Sequence, residues 1–149
     1  MLRSPSLLSA LTAFVALVPA FPSAVRADDL KAMEGTWRVE SVEAGGKAVE
    51  AEDLQSLELT ISGEHYTVKT KDGMDVGTLK LDETQKPRTM DATKTEGFDA
   101  GKVVKAIYTI EGNTLKVCCA PDGGQRPTEL ATKEGEAVVL IVYRREAKE

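Results

Sequence analysis

The sequence predicts an all-β domain, a small antiparallel up-and-down β-barrel of about eight strands, with a two-sheet β-sandwich as the alternative arrangement. Three observations carry this expectation. Apolar and polar residues alternate with a period of two through most of the chain after residue 34. Turn-forming pairs stand between the alternating runs at short, regular spacing. Helical periodicity is scarce.

The first 27 residues read differently from the rest. Arg3 gives a positive start, Leu7–Val18 is a mostly apolar run, and Val25-Arg26-Ala27 places small residues three before and one before a cut after Ala27. This is the pattern of a signal peptide. The apolar run is shorter than the roughly 20 residues of a spanning helix, and no cysteine follows it to take a lipid anchor. The reading is therefore a signal peptide over 1–27 and one domain over 28–149, exported to the periplasm or the extracellular medium, with no membrane attachment after cleavage. From Asp28 to Glu149 there are 122 residues, with 17 basic against 24 acidic and a formal charge of −7. Such a surface disfavours nucleic acid and anionic membrane as partners.

Asp28 or Asp29 can cap a short helical turn through Leu30–Glu34 that closes one barrel end, and a second turn is expected over Glu50–Gln55. Strands are expected near 35–42, 56–62, 64–71, 74–81, 87–93, 103–111, 114–120 and 137–145. In the first, Trp37, Val39 and Ser41 share a face. In the next two, Leu57, Leu59 and Ile61, then Tyr66 and Val68, face inward. Leu79 and Leu81 follow, then Leu115, Val117 and Cys119, with Tyr108, Ile141 and Tyr143 completing the candidate interior. Gly112-Asn113 is the sharpest turn signal, because glycine first suits a type II′ hairpin. Val103–Ile110 and Val138–Tyr143 are apolar on both faces, so either a short helix covers them outside or they form a self-association surface.

Chemistry-bearing motifs are few. His65 is the one histidine and falls on the wet face of its strand, which argues against a Ser–His pair or a histidine metal site. No zinc-type spacing, phosphate-binding glycine loop or paired acid and base stands out, so no catalytic residue, metal or cofactor is expected. Cys118-Cys119 is the oddity: adjacent strand residues point to opposite faces, Cys119 in and Cys118 out. In an oxidising compartment the pair can remain as free thiols, Cys118 can bridge two chains into a homodimer, or the two can join in a strained vicinal disulfide. Arg88, Asp91 and Arg126 have two readings. Asp91 and Arg126 can pair as a loop anchor, or all three can orient a ligand at the barrel mouth together with Tyr66 and Tyr108.

Gly35-Thr36-Trp37 opens the first strand and Tyr143-Arg144-Arg145 closes the last. A terminal arginine, with Arg144 the expected residue, can cover the Trp37 indole once the sheet closes. This pairing resembles the Gly-x-Trp signature of lipocalins and other calycins, which are up-and-down barrels. A longer series runs Gly46-Lys47, Gly77-Thr78-Leu79-Lys80-Leu81, Lys86-Pro87-Arg88-Thr89-Met90-Asp91, Ile107-Tyr108, Gly112-Asn113-Thr114-Leu115, Cys118 or Cys119, and Arg126-Pro127-Thr128-Glu129. In order and spacing it resembles the planctomycete-type lipocalin-like domain, a family of exported bacterial proteins of unknown function. The resemblance implies a calycin-like barrel and export, and carries no catalytic residue. The function expected is non-enzymatic binding of a small apolar molecule inside the barrel. The alternative is a filled barrel that acts through its surface or as a dimer.

Overall fold

The computed structural model describes residues 28–50, 52–97 and 99–147; the expected signal segment, residues 1–27, lies outside the described residues. A six-residue helix, α1 (Asp28–Met33), precedes the strands β1 (Gly35–Ala44), β2 (Lys47–Ala48), β3 (Glu58–Ser62), β4 (His65–Thr70), β5 (Gly73–Asp82), β6 (Arg88–Lys94), β7 (Val103–Glu111), β8 (Thr114–Cys119) and β9 (Val139–Arg145). A 3-10 turn spans Glu52–Ser56. Each strand from β3 onward pairs antiparallel with the next, and β1 pairs with both β3 and β9. The ladder is thereby closed into an eight-stranded antiparallel barrel, with β2 a two-residue extension beside β1. The sandwich alternative is excluded.

The hairpins fall where the turn residues predict. Ser62 pairs with His65, Thr70 with Gly73, and Glu111 with Thr114 across Gly112-Asn113. Because partners directly opposite share a face, the registers define the interior. Trp37, Leu59, Ile61, Tyr66, Leu79 and Leu115 are all buried there. One expectation for β1 fails. The register slips between Val39 and Ser41, and Val42, not Ser41, pairs with inward Ile141 and is buried. A bulge supplies one extra residue and shifts parity, so the apolar face continues as Val42.

The helix α1 closes the end of the barrel where β1 begins. Trp37 Nε1 donates to the Met33 carbonyl at 2.8 Å, and both side chains are fully buried. Tyr108, also fully buried, donates its hydroxyl to Asp29 at 2.8 Å, and Arg88 donates to the same carboxylate at 2.9 Å. The Asp29 amide donates to Glu83 at 2.6 Å. The arginine over Trp37 is Arg145, with its guanidinium carbon 4.2 Å from the ring centroid. Arg145 also donates to the Ala32 and Glu34 carbonyls, the acceptors left open where α1 ends. Arg144, the residue expected there, is exposed and pairs with Glu40 at 3.0 Å. The reason is parity: Tyr143 and Arg145 share the inner face of β9, and Arg144 lies on the other. Gly35 takes φ +125°, a conformation L side chains rarely adopt, and a Cβ there would stand 3.2 Å from Arg145 Nη1.

No helix among the described residues covers the apolar outer positions of β7 and β9: Val103 is exposed, Leu140 and Val142 are half-buried, and Ile107 is buried. The segment between β8 and β9, residues 120–138, lies against Cys118. Ile107 and Cys118 are 1% and 0% exposed although both point away from the interior. Cys118 Sγ stands 3.8 Å from the Ala131 carbonyl.

Arg145→Ala should lower stability by about 2 kcal/mol, through loss of the indole contact and of charge-assisted hydrogen bonds to two carbonyls. Arg144→Ala, which removes an exposed pair, should cost less than about 0.5 kcal/mol. Urea unfolding of both variants measures the difference.

Candidate functional site

The five residues expected at the barrel mouth do not converge; the fold distributes them over three places. Arg88 and Tyr108 belong to the plugged end, bound to Asp29. Asp91 and Arg126 sit on the outer wall. Tyr66 alone faces the central interior.

Arg126 is the clasp of the 120–138 segment. Its Nη1 donates to the carbonyls of Met90 at 3.1 Å and Ala106 at 2.7 Å, and its Nη2 to Asp91 at 2.5 Å. Further along, buried Thr132 donates to Glu43 at 2.8 Å and accepts from the Gly46 amide at 2.9 Å. Pinned to β6–β7 at one point and to the β1–β2 hairpin at the other, the segment covers Cys118 at the end of β8. Asp91 and Arg126 thus pair, as the loop-anchor reading has it. Cys118 lies under this cover, so an inter-chain bridge through it has no access in the folded chain. Both cysteines are free thiols, not a vicinal disulfide.

The interior holds a cavity of about 160 Å³. Leu59, Ile61, Val68, Leu115, Val117 and Ile141 form much of its wall. Between them, β6, β7 and the end of β8 present small side chains, Ala92, Ala106 and Cys119, beside Met90 and Val104. These small inward positions leave the space. Of them, the sequence reading identified only Cys119, because alternation marks apolar positions and small residues carry little of that signal. Leu57, expected inside, precedes β3 and does not reach the cavity.

Gly77 fixes the position of Tyr66. The two are directly opposite on β4 and β5, and a Cβ on Gly77 would come within 2.6 Å of the Tyr66 ring and collide with the Thr93 carbonyl. Burial raises the Tyr66 phenol above its ordinary range, and nearby Asp75 adds to the shift. Burial likewise pushes the Cys119 thiol up to about 11, so it is a neutral, unreactive group on the cavity wall at neutral pH. Tyr143 is raised by burial too. His65 is exposed on the outer face, as alternation predicts. Among the described residues there is no grouping of three or more His, Cys, Asp or Glu able to hold a metal ion.

Comparison of the chain with protein-family models gives no match, and comparison with curated proteins gives none. No helix among the described residues is long and apolar enough to cross a membrane.

Arg126→Met should expose Cys118 by freeing the cover, so that its alkylation in native buffer accelerates at least tenfold while Cys119 stays protected; peptide mapping after labelling reads both. Stability should also depend on alkaline pH. The Cys119 pKa is raised on folding, so its contribution is complete below the unfolded value near 9 and is lost as pH rises through about 11. Unfolding free energy should fall across that window by up to about 3 kcal/mol. Cys119→Ala should make the slope shallower.

Proposed function

We propose that this domain binds a small apolar molecule in its barrel without catalysis, in the extracytoplasmic space, and is a relative of the planctomycete-type lipocalin-like proteins. The cavity carries the reading. Its lining is almost wholly hydrocarbon, so a ligand there gains by leaving water, at roughly 25 cal/mol per Å² of apolar surface. An apolar cavity of about 150 Å³ stays dry and takes up benzene or xenon. The interior here, about 160 Å³, suits a single ring or a short branched chain. The signal-like segment over 1–27 supports export, and the ordered motifs from Gly35-Thr36-Trp37 to Arg126-Pro127-Thr128-Glu129 support the kinship.

One observation favours a second reading. Cavities for drug-sized ligands run from about 300 Å³ upward, and this one is smaller. A barrel mostly filled by its own side chains can serve instead as a rigid module that acts through its surface. Cys118 and Ile107, both buried, are not part of that surface.

Native mass spectrometry of the chain from Asp28, purified gently from an exporting host, separates the two. The expected result is a monomer carrying one small added mass. Ala106→Leu, which fills the cavity from β7, should abolish the added mass and leave the far-ultraviolet spectrum of the fold unchanged. A bare chain in both proteins would favour the filled module.

A further inference from the structure

Above the hydrophobic cavity, at the end away from α1, the inner face changes character. Along one row, Tyr66 on β4, Gly77 on β5 and Lys94 on β6 stand directly opposite one another. Lys94 is the next inward position after Ala92, which lines the cavity. Asp75 is directly opposite Val68, another lining residue, and so shares its inward face. Lys94 Nζ lies 3.3 Å from Asp75 and 3.8 Å from Asp99. The wall formed by β4–β6 thus ends in an ammonium and two carboxylates, while across the mouth β9 and β1 contribute Val139 and Val42, also inward and opposite Ala44 and Ile141.

We infer that the ligand of this cavity carries one neutral hydroxyl on an apolar body of single-ring size, and that Lys94 and Asp75 recognise that hydroxyl. The inference rests on the reading of the cavity as a ligand site. It follows from donor and acceptor arithmetic. An ammonium has three N–H donors and a carboxylate accepts only. Asp99 lies beyond hydrogen-bond distance, so the two carboxylates leave Lys94 a donor for the mouth. A hydroxyl is the smallest neutral group that can accept from Lys94 and donate to Asp75 at once. An anionic head would meet two carboxylates against one ammonium and is disfavoured. A pure hydrocarbon would fill the cavity and leave the polar wall unused. The Tyr66 ring lies over Gly77 on this row, and Lys94 and Asp75 stand just beyond the residues that line the cavity.

Benzene, phenol and benzoate test this on the chain from Asp28, with binding read by nuclear magnetic resonance from the methyl signals of Ala92 and Ala106. In a purely apolar cavity phenol binds worse than benzene, since its hydroxyl loses water and gains nothing. Here phenol should bind about tenfold tighter than benzene, and benzoate weaker than either. Lys94→Met and Asp75→Asn should each bring phenol down to the benzene level or below, with benzene affinity unchanged within twofold; that unchanged affinity also certifies that the variant is folded. Phenol no tighter than benzene, or a preference that survives in both variants, would overturn the inference and leave the cavity reading standing. Failure of benzene itself to bind would remove the cavity reading and the inference together.

Discussion

The structure depends on one closure, the pairing of β1 with β9. It joins the first strand of the domain to the last, and without it the sheet is open and has no interior. The pairing is reinforced where the two chain ends meet. Arg145 lies on the Trp37 indole and reaches the carbonyls that α1 leaves unpaired, and Trp37 returns a hydrogen bond to Met33. One aromatic side chain is therefore shared by the helix, the first strand and the last. Fully buried, it contributes as packing and as a hydrogen-bond donor together. Asp29 does comparable work for the middle of the sheet, binding Arg88 of β6 and Tyr108 of β7 to the same helix.

Much of this was legible in the sequence, for a simple reason. In an up-and-down barrel every strand has one wet and one dry face, so alternation reports both the strand and its inward residues. Where alternation breaks, the reading broke with it. The bulge after Val39 was invisible because an inserted residue leaves the local pattern intact on either side. Arg145 was within reach, since Tyr143 faces inward and Arg145 is two residues further on; the neighbouring Arg144 satisfied the same expectation of a terminal cation. The apolar outer residues of β7 and β9 suggested a covering helix or a self-association surface, and what lies over Cys118 beside Ile107 is an irregular segment. Its nature was not legible, because residues 120–138 have neither period and are held by single side chains, Arg126 and Thr132, whose partners are far away in sequence.

The candidate site was legible only as an interior. Arg88 and Arg126, in the motifs Lys86-Pro87-Arg88 and Arg126-Pro127-Thr128-Glu129, looked suited to a ligand, yet each is engaged in holding an element in place. The polar groups that do stand near the cavity, Lys94 and Asp75, lie in ordinary-looking strand ends with no motif to mark them. They become visible only when the registers place them level with Tyr66 and Val68. The space beneath them likewise comes from what is missing: Ala92, Ala106 and Cys119 are small, and a barrel wall takes its volume from the residues that decline to fill it.

Closure also sets an order of events. Trp37 and Arg145 are separated by more than a hundred residues of chain, so their contact is among the last to form as the protein is made or refolds. Until β9 docks, β1 and β8 each present a row of unpaired backbone groups, the arrangement that invites strands from other molecules. A topology with such distant pairings folds slowly for its size. The same lock that leaves the finished barrel without an edge therefore leaves its precursor with two, and the interval before the last seven residues of strand arrive is when this chain is most exposed to aggregation.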